Sequence, residues 1–115
     1  MQANDYQVQA ARTLIPGPDF ELTDNEFMLI WCAVGLGGES GEVLELIKKG
    51  LLHRHGLDKE KFKKELGDCC WYLAGLCTIS GFDFSEILEN NIKKLEERYP
   101  NGYSSEDSQK RVDVK

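Results

Sequence analysis

Residues 23–50 read TDNEFMLIWCAVGLGGESGEVLELIKKG, and this stretch decides the fold class. Thr23 and Glu26 stand three apart, the spacing of a capping box: the hydroxyl accepts from one free amide at a helix start, and the glutamate returns a bond to the cap amide. Lys48 and Lys49 sit where cations suit the C-terminal end of a helix dipole, and Gly50 offers a left-handed stop. A long helix is predicted between these ends. It carries Gly35, Gly37, Gly38 and Gly41, each costing up to about 1 kcal/mol relative to alanine. Three uses would explain that cost: close approach of a neighbouring helix, room for a ligand beside the backbone, or a break near Gly37-Gly38 with a restart at Glu39.

The same punctuation divides the rest of the chain. A first helix runs from about Asp5 to Leu14 and is stopped by Pro16-Gly-Pro18. A third starts near Asp58 and ends at Gly81. A fourth opens with Asp83-x-x-Glu86, a capping-box variant, and ends at Arg98, before Pro100. From Asn101 the chain is polar and contains glycine and serine, which predicts a mobile or partner-docked tail. Neither strand alternation nor an internal repeat is present. The expectation is an all-α bundle of about four helices in a single domain, residues 1–115, because 115 residues are too few for two ordinary domains.

Composition narrows the function. With 41% apolar residues the chain has enough for a small core and some left over for a subunit interface. A net charge of −6 without a basic face argues against nucleic-acid binding. An unbroken run of about 18 apolar residues is absent, so no membrane span is expected. The N-terminal segment lacks the apolar core of a signal peptide, so the expected location is cytoplasmic. Cys32, Cys69, Cys70 and Cys77 all lie in apolar stretches, where free cysteine behaves as a small hydrophobe, and are expected to be reduced core thiols.

Carboxylates carry the chemistry. Glu39 and Glu42 are three apart and share one helix face; Glu65 and Asp68 repeat that spacing on the third helix. At 100° per residue, each pair borders the apolar stripe of its helix. Packed antiparallel, the two helices would gather four carboxylates at the edge of a core, a costly cluster unless a cation neutralises it. Oxygen-only ligands favour a hard ion, hence Mg²⁺, with Mn²⁺ as a substitute. The competing reading is a solvated acidic face, each glutamate paired with lysines. On the fourth helix Asn91, Lys94 and Arg98 share a face, and the two cations suit phosphate oxygens; the competing reading is a basic face matched to the helix dipole. His53 and His55 fall in a short loop and read as unspecialised. Trp31 and Trp71 have apolar neighbours and read as core or interface residues sooner than as base-stacking ones.

Gly37-Gly-Glu39-Ser-Gly-Glu42 followed by Glu65-Leu-Gly-Asp68-x-x-Trp71-Tyr72 resembles the Glu-x-x-Glu…Glu-x-x-Asp signature of the MazG-like nucleotide pyrophosphohydrolases, in the all-α NTP pyrophosphatase superfamily. Tyr6-Gln7 and Ala11-Arg-Thr13 resemble the family's opening helix. Asn91-Ile-Lys-Lys94-Leu-x-x-Arg98-Tyr-Pro-x-Gly102 resembles its closing helix and turn, and Arg111 matches a late arginine. The resemblance covers roughly residues 5–113. It implies Mg²⁺-dependent hydrolysis of a nucleoside triphosphate, usually a deoxynucleotide or a noncanonical one, to monophosphate and pyrophosphate. It also implies a homodimer or homotetramer whose subunits together complete the helical bundle. On that reading Glu39, Glu42, Glu65 and Asp68 hold the metal, Glu39 or Glu42 takes the proton of the attacking water, Lys48, Lys94 and Arg98 hold the outgoing pyrophosphate, and Asn91 bonds sugar or phosphate.

Two other classes compete. A non-catalytic helical oligomerisation or binding module would keep the helices without the metal. A di-iron carboxylate bundle would need Glu-x-x-His pairs, and neither histidine stands three after a glutamate.

Overall fold

Four of the five α-helices among the described residues begin with a cap side chain that accepts from a free backbone amide. The computed structural model describes residues 1–14, 17, 20–111 and 113. Helix α1 spans Ala3–Ala11, shorter than expected at its C-terminus; Pro16 and Pro18, the expected stop, lie outside the described residues. Helix α2 spans Asp24–Ile47. Its capping box is formed as read: Thr23 Oγ1 accepts from the Glu26 amide at 3.1 Å, and Glu26 Oε1 accepts from the Thr23 amide at 2.9 Å. The helix is continuous through all four glycines, so the break at Gly37-Gly38 does not occur.

The end of α2 differs from expectation. Gly50 is not left-handed; the chain widens into a π-helical turn, Lys48–Leu52, in which Gly50 is buried. A Cβ at Gly50 would lie 3.0 Å from the Leu57 Cα, so the glycine there serves close backbone approach. The reversal itself uses positive φ at Arg54 (61°) and Gly56 (85°), four and six residues after the expected stop at Gly50.

Helix α3, Lys59–Ser80, is capped by Asp58, whose Oδ1 accepts from the Lys61 amide at 3.1 Å. It ends at left-handed Gly81, φ 72°. The Phe82 amide bonds Cys77 O and the Gly81 amide bonds Thr78 O, the two bonds of a Schellman motif. Helix α4, Phe84–Arg98, starts at Asp83, which accepts from the Ser85 amide at 3.1 Å. The described part of the polar tail carries a further helix that composition did not indicate: α5, Ser105–Lys110, forms on a Ser104 cap and rests against α4. Strands are absent among the described residues, and the fold is all-α.

Among the described residues, helices α2 and α3 form the one extensive helix pair. Opposed positions fix its direction. A Cβ on Gly35 would run into the Tyr72 ring, a Cβ on Gly75 would meet Cys32 Sγ at 3.2 Å, and Glu39 faces Glu65. Numbers rise on one helix as they fall on the other, so the pair is antiparallel. Its seam buries Cys32 and Cys77; Cys69 is half-buried and Cys70 exposed, so the core-thiol expectation holds for two of the four.

The protomer is open. Its radius of gyration is 20.3 Å, against about 13 Å for a compact domain of this length. Helix α4 carries an apolar stripe, Leu88, Ile92 and Leu95, that stays exposed among the described residues. The continuous helix Asp24–Leu52 is also long and apolar enough, by length and composition, to cross a membrane, which the search for an unbroken apolar run did not anticipate. The core helix of a bundle has the same composition, and this one lies along α3 with carboxylates on its flank.

Candidate metal centre and its aromatic wall

Three of the four sequence-selected carboxylates converge. One oxygen each from Glu39, Glu65 and Asp68 can be chosen so that all lie within 4.8 Å of one another. Glu39 and Glu65 are half-buried and Asp68 is exposed. The arrangement follows from helix periodicity: Glu65 and Asp68, three apart, share a face of α3, and the antiparallel register sets Glu39 opposite. Glu42, one turn on along α2, stays outside the trio and is exposed.

The electrostatics record the crowding. The Glu39 carboxyl is pushed above its ordinary value, first by a hydrogen bond with Glu65, then by burial and by the charges of Glu65, Asp68 and Glu42. Protonation of Glu39 relieves like-charge repulsion when no cation does. The donor set is entirely oxygen, which suits a hard divalent ion that keeps several waters. His53 and His55 lie in the exposed reversal and take no part in this cluster.

An aromatic wall adjoins the carboxylates. Glu39, Asp68, Trp71 and Tyr72 line a cavity of about 300 Å³. Trp71 and Tyr72 follow Asp68 by three and four positions, which puts all three on one side of α3. Gly35 explains the fit of Tyr72: the ring lies over α2 where any larger residue would collide with it. Gly37, Gly38 and Gly41 have open space instead. The wall was legible as spacing, but apolar neighbours favoured packing roles for Trp71.

The expected phosphate-binding residues are not brought to this cavity. Lys48 pairs with Glu45 at 3.0 Å. Asn91 and Lys94 are exposed on α4, which lines no part of the cavity. Arg98 makes two 2.7 Å hydrogen bonds to Asp113, a residue that sequence reasoning passed over.

The fold and site define a class: an all-α protein with an acidic, metal-capable centre between two antiparallel helices. Residues 32–103 match the family described as the MazG nucleotide pyrophosphohydrolase domain, and the chain belongs to that family. The chain is also similar to the "Gene 37 protein" of Mycobacterium phage L5, 32% identical over 107 residues, covering 89% of this chain and 92% of the phage protein. No solved structure gives a significant match.

Proposed function

We propose that the protein is a cytoplasmic, Mg²⁺-dependent pyrophosphohydrolase that cleaves (deoxy)nucleoside triphosphates to monophosphate and pyrophosphate, in nucleotide-pool house-cleaning. The observation that carries this is the convergence of Glu39, Glu65 and Asp68 in a chain of this family. Bound Mg²⁺, with Mn²⁺ as a substitute, supplies neutralisation of the triphosphate and of charge developing in the transition state.

The chain's own residues do the rest. Glu39, Glu65 and Asp68 hold the ion, with Glu42 flanking them. Water attacks the α-phosphorus, a P–O bond forms, and the anhydride bond to the β-phosphate breaks, releasing pyrophosphate. A carboxylate accepts the proton of that water. Glu42 suits this task because it lies outside the converging trio; Glu39 is the other candidate. Lys48, Lys94 and Arg98 hold the departing pyrophosphate, and Asn91 bonds sugar or phosphate. Arg98 commits two of its five N–H donors to Asp113.

This assignment needs a second copy of the chain. Helix α4 is remote from its own protomer's cavity, so its cations reach a substrate bound on a partner's α2–α3 pair. The uncovered stripe on α4 and the open shape support a homodimer or homotetramer.

The test is release of monophosphate and pyrophosphate from canonical and modified nucleoside triphosphates, with and without Mg²⁺, by wild type and Glu42→Gln. Metal-dependent turnover that is lost in the variant supports the proposal. Absence of turnover across the panel, together with absence of any Mg²⁺ effect on Tm, would favour a non-catalytic oligomerisation module.

A further inference from the structure

The two tryptophans are both exposed, Trp31 at 57% and Trp71 at 64%, yet their surroundings differ. Trp31 lies in a groove with Phe27, Ile30, Val34, Gly35 and Tyr72, which offers almost nothing polar to a ligand. Trp71 shares one cavity with Glu39 and Asp68, and also lines an apolar groove with Met28, Cys32 and Ala74. An exposed indole face beside a polyphosphate-handling centre has a use that an exposed indole in an apolar groove lacks.

The Trp71 ring is also held in place. It meets Tyr72 edge to face, with centroids 5.0 Å apart and planes at 88°, a favoured aromatic geometry. Tyr72 in turn is seated against the bare backbone of Gly35. A glycine on α2 thereby fixes a tyrosine on α3, and the tyrosine supports the tryptophan. The supported ring costs little further ordering when a flat partner lands on it.

We propose that Trp71 is the platform on which the nucleobase of the substrate stacks, with the triphosphate directed to Glu39 and Asp68. The proposal rests on the pyrophosphohydrolase reading and names a binding residue for it. Stacking on an indole face accepts any base, because every base has a π-face. Trp71 therefore contributes to affinity for nucleotides as a class, and not to choice among bases.

The experiment uses the full-length protein. In a Trp31→Phe background Trp71 is the sole tryptophan, and its fluorescence is titrated in Mg²⁺ with nucleoside monophosphates and, separately, with inorganic tripolyphosphate. Quenching by the nucleotides and none by tripolyphosphate is expected. In steady state, Trp71→Ala raises KM on the order of tenfold for triphosphates of all four bases, with kcat little changed. Trp71→Phe restores most of the loss, and the inhibition constant of tripolyphosphate stays at its wild-type value. A tripolyphosphate constant that rises in step with KM would overturn the proposal, as would missing quenching or a changed oligomer mass in Trp71→Ala, since each assigns Trp71 to the scaffold or an interface. If wild type turns over no triphosphate, the enzyme reading fails on its own, and the fluorescence titration still decides whether Trp71 receives a base.

Discussion

Arg98 grips Asp113 with a two-pronged fork: Nε donates to Oδ1 and Nη2 to Oδ2, both at 2.7 Å. The Asp113 side chain is fully buried and that of Arg98 is 15% exposed. The fork joins the last turn of α4 to the end of the described chain, and Arg111 adds a longer contact, Nε to Oδ1 at 3.6 Å. This is why the C-terminal segment folds back on α4.

Stability should depend on pH through this fork. The Arg98 guanidinium holds the Asp113 carboxyl well below its ordinary value near 3.8. The unfolded state therefore binds the proton more readily, and the fork's contribution is fully present above about pH 4 and is lost as pH falls through the lowered folded value. Asp113→Asn is expected to lower Tm at pH 7, and its difference from wild type should shrink below pH 4. Thermal melts of both proteins from pH 7 to pH 3 provide the check; a difference independent of pH would rule out the linkage.

Neutralising one carboxylate should separate metal binding from folding. Glu39→Gln removes a charge from a crowded trio, so Tm of the metal-free protein is expected to equal or exceed wild type. Mg²⁺ is expected to raise Tm of wild type, as any ligand bound by the folded state alone does, and that rise should vanish in the variant. Calorimetric scans with Mg²⁺ and with EDTA report both effects.

The glycines of α2 should respond differently to alanine. At Gly35 the new methyl meets the Tyr72 ring, and overpacking of this kind costs about 1–3 kcal/mol. At Gly37 nothing lies within 4 Å, so alanine gains helix propensity, up to about 1 kcal/mol. Urea melts of Gly35→Ala and Gly37→Ala should move the midpoint in opposite directions.

The apolar stripe of α4 should hold the assembly together. A charge at its centre, Ile92→Asp, is expected to reduce the native mass to that of one 13.0 kDa chain and to lower Tm. Light scattering after gel filtration measures the mass. Retention of the wild-type mass would place the interface elsewhere.

The cap residues Thr23, Asp58 and Asp83 and the stop at Gly81 were readable because their hydrogen bonds span two to five residues. The acidic pairs were readable for the same reason: spacing of three sets two carboxylates on one helix face. Other features lay beyond local reading. Gly50 resembled a helix stop by position, but its role depends on the approach of Leu57 around a reversal. The tail from Asn101 read as mobile or partner-docked by composition; the bond from Arg98 to Asp113, fifteen positions on, could not be read locally.

By itself the sequence determined the starts of α2, α3 and α4, the stop at Gly81 and which carboxylates share a helix face, because all of these follow from hydrogen bonds and periodicity within a few residues. Only the tertiary structure decided that Glu39 joins Glu65 and Asp68 while Glu42 flanks them. Only it set Tyr72 on Gly35, with Trp71 against the same cavity. Those relations depend on the axial register of two antiparallel helices, which is fixed by packing between residues tens of positions apart.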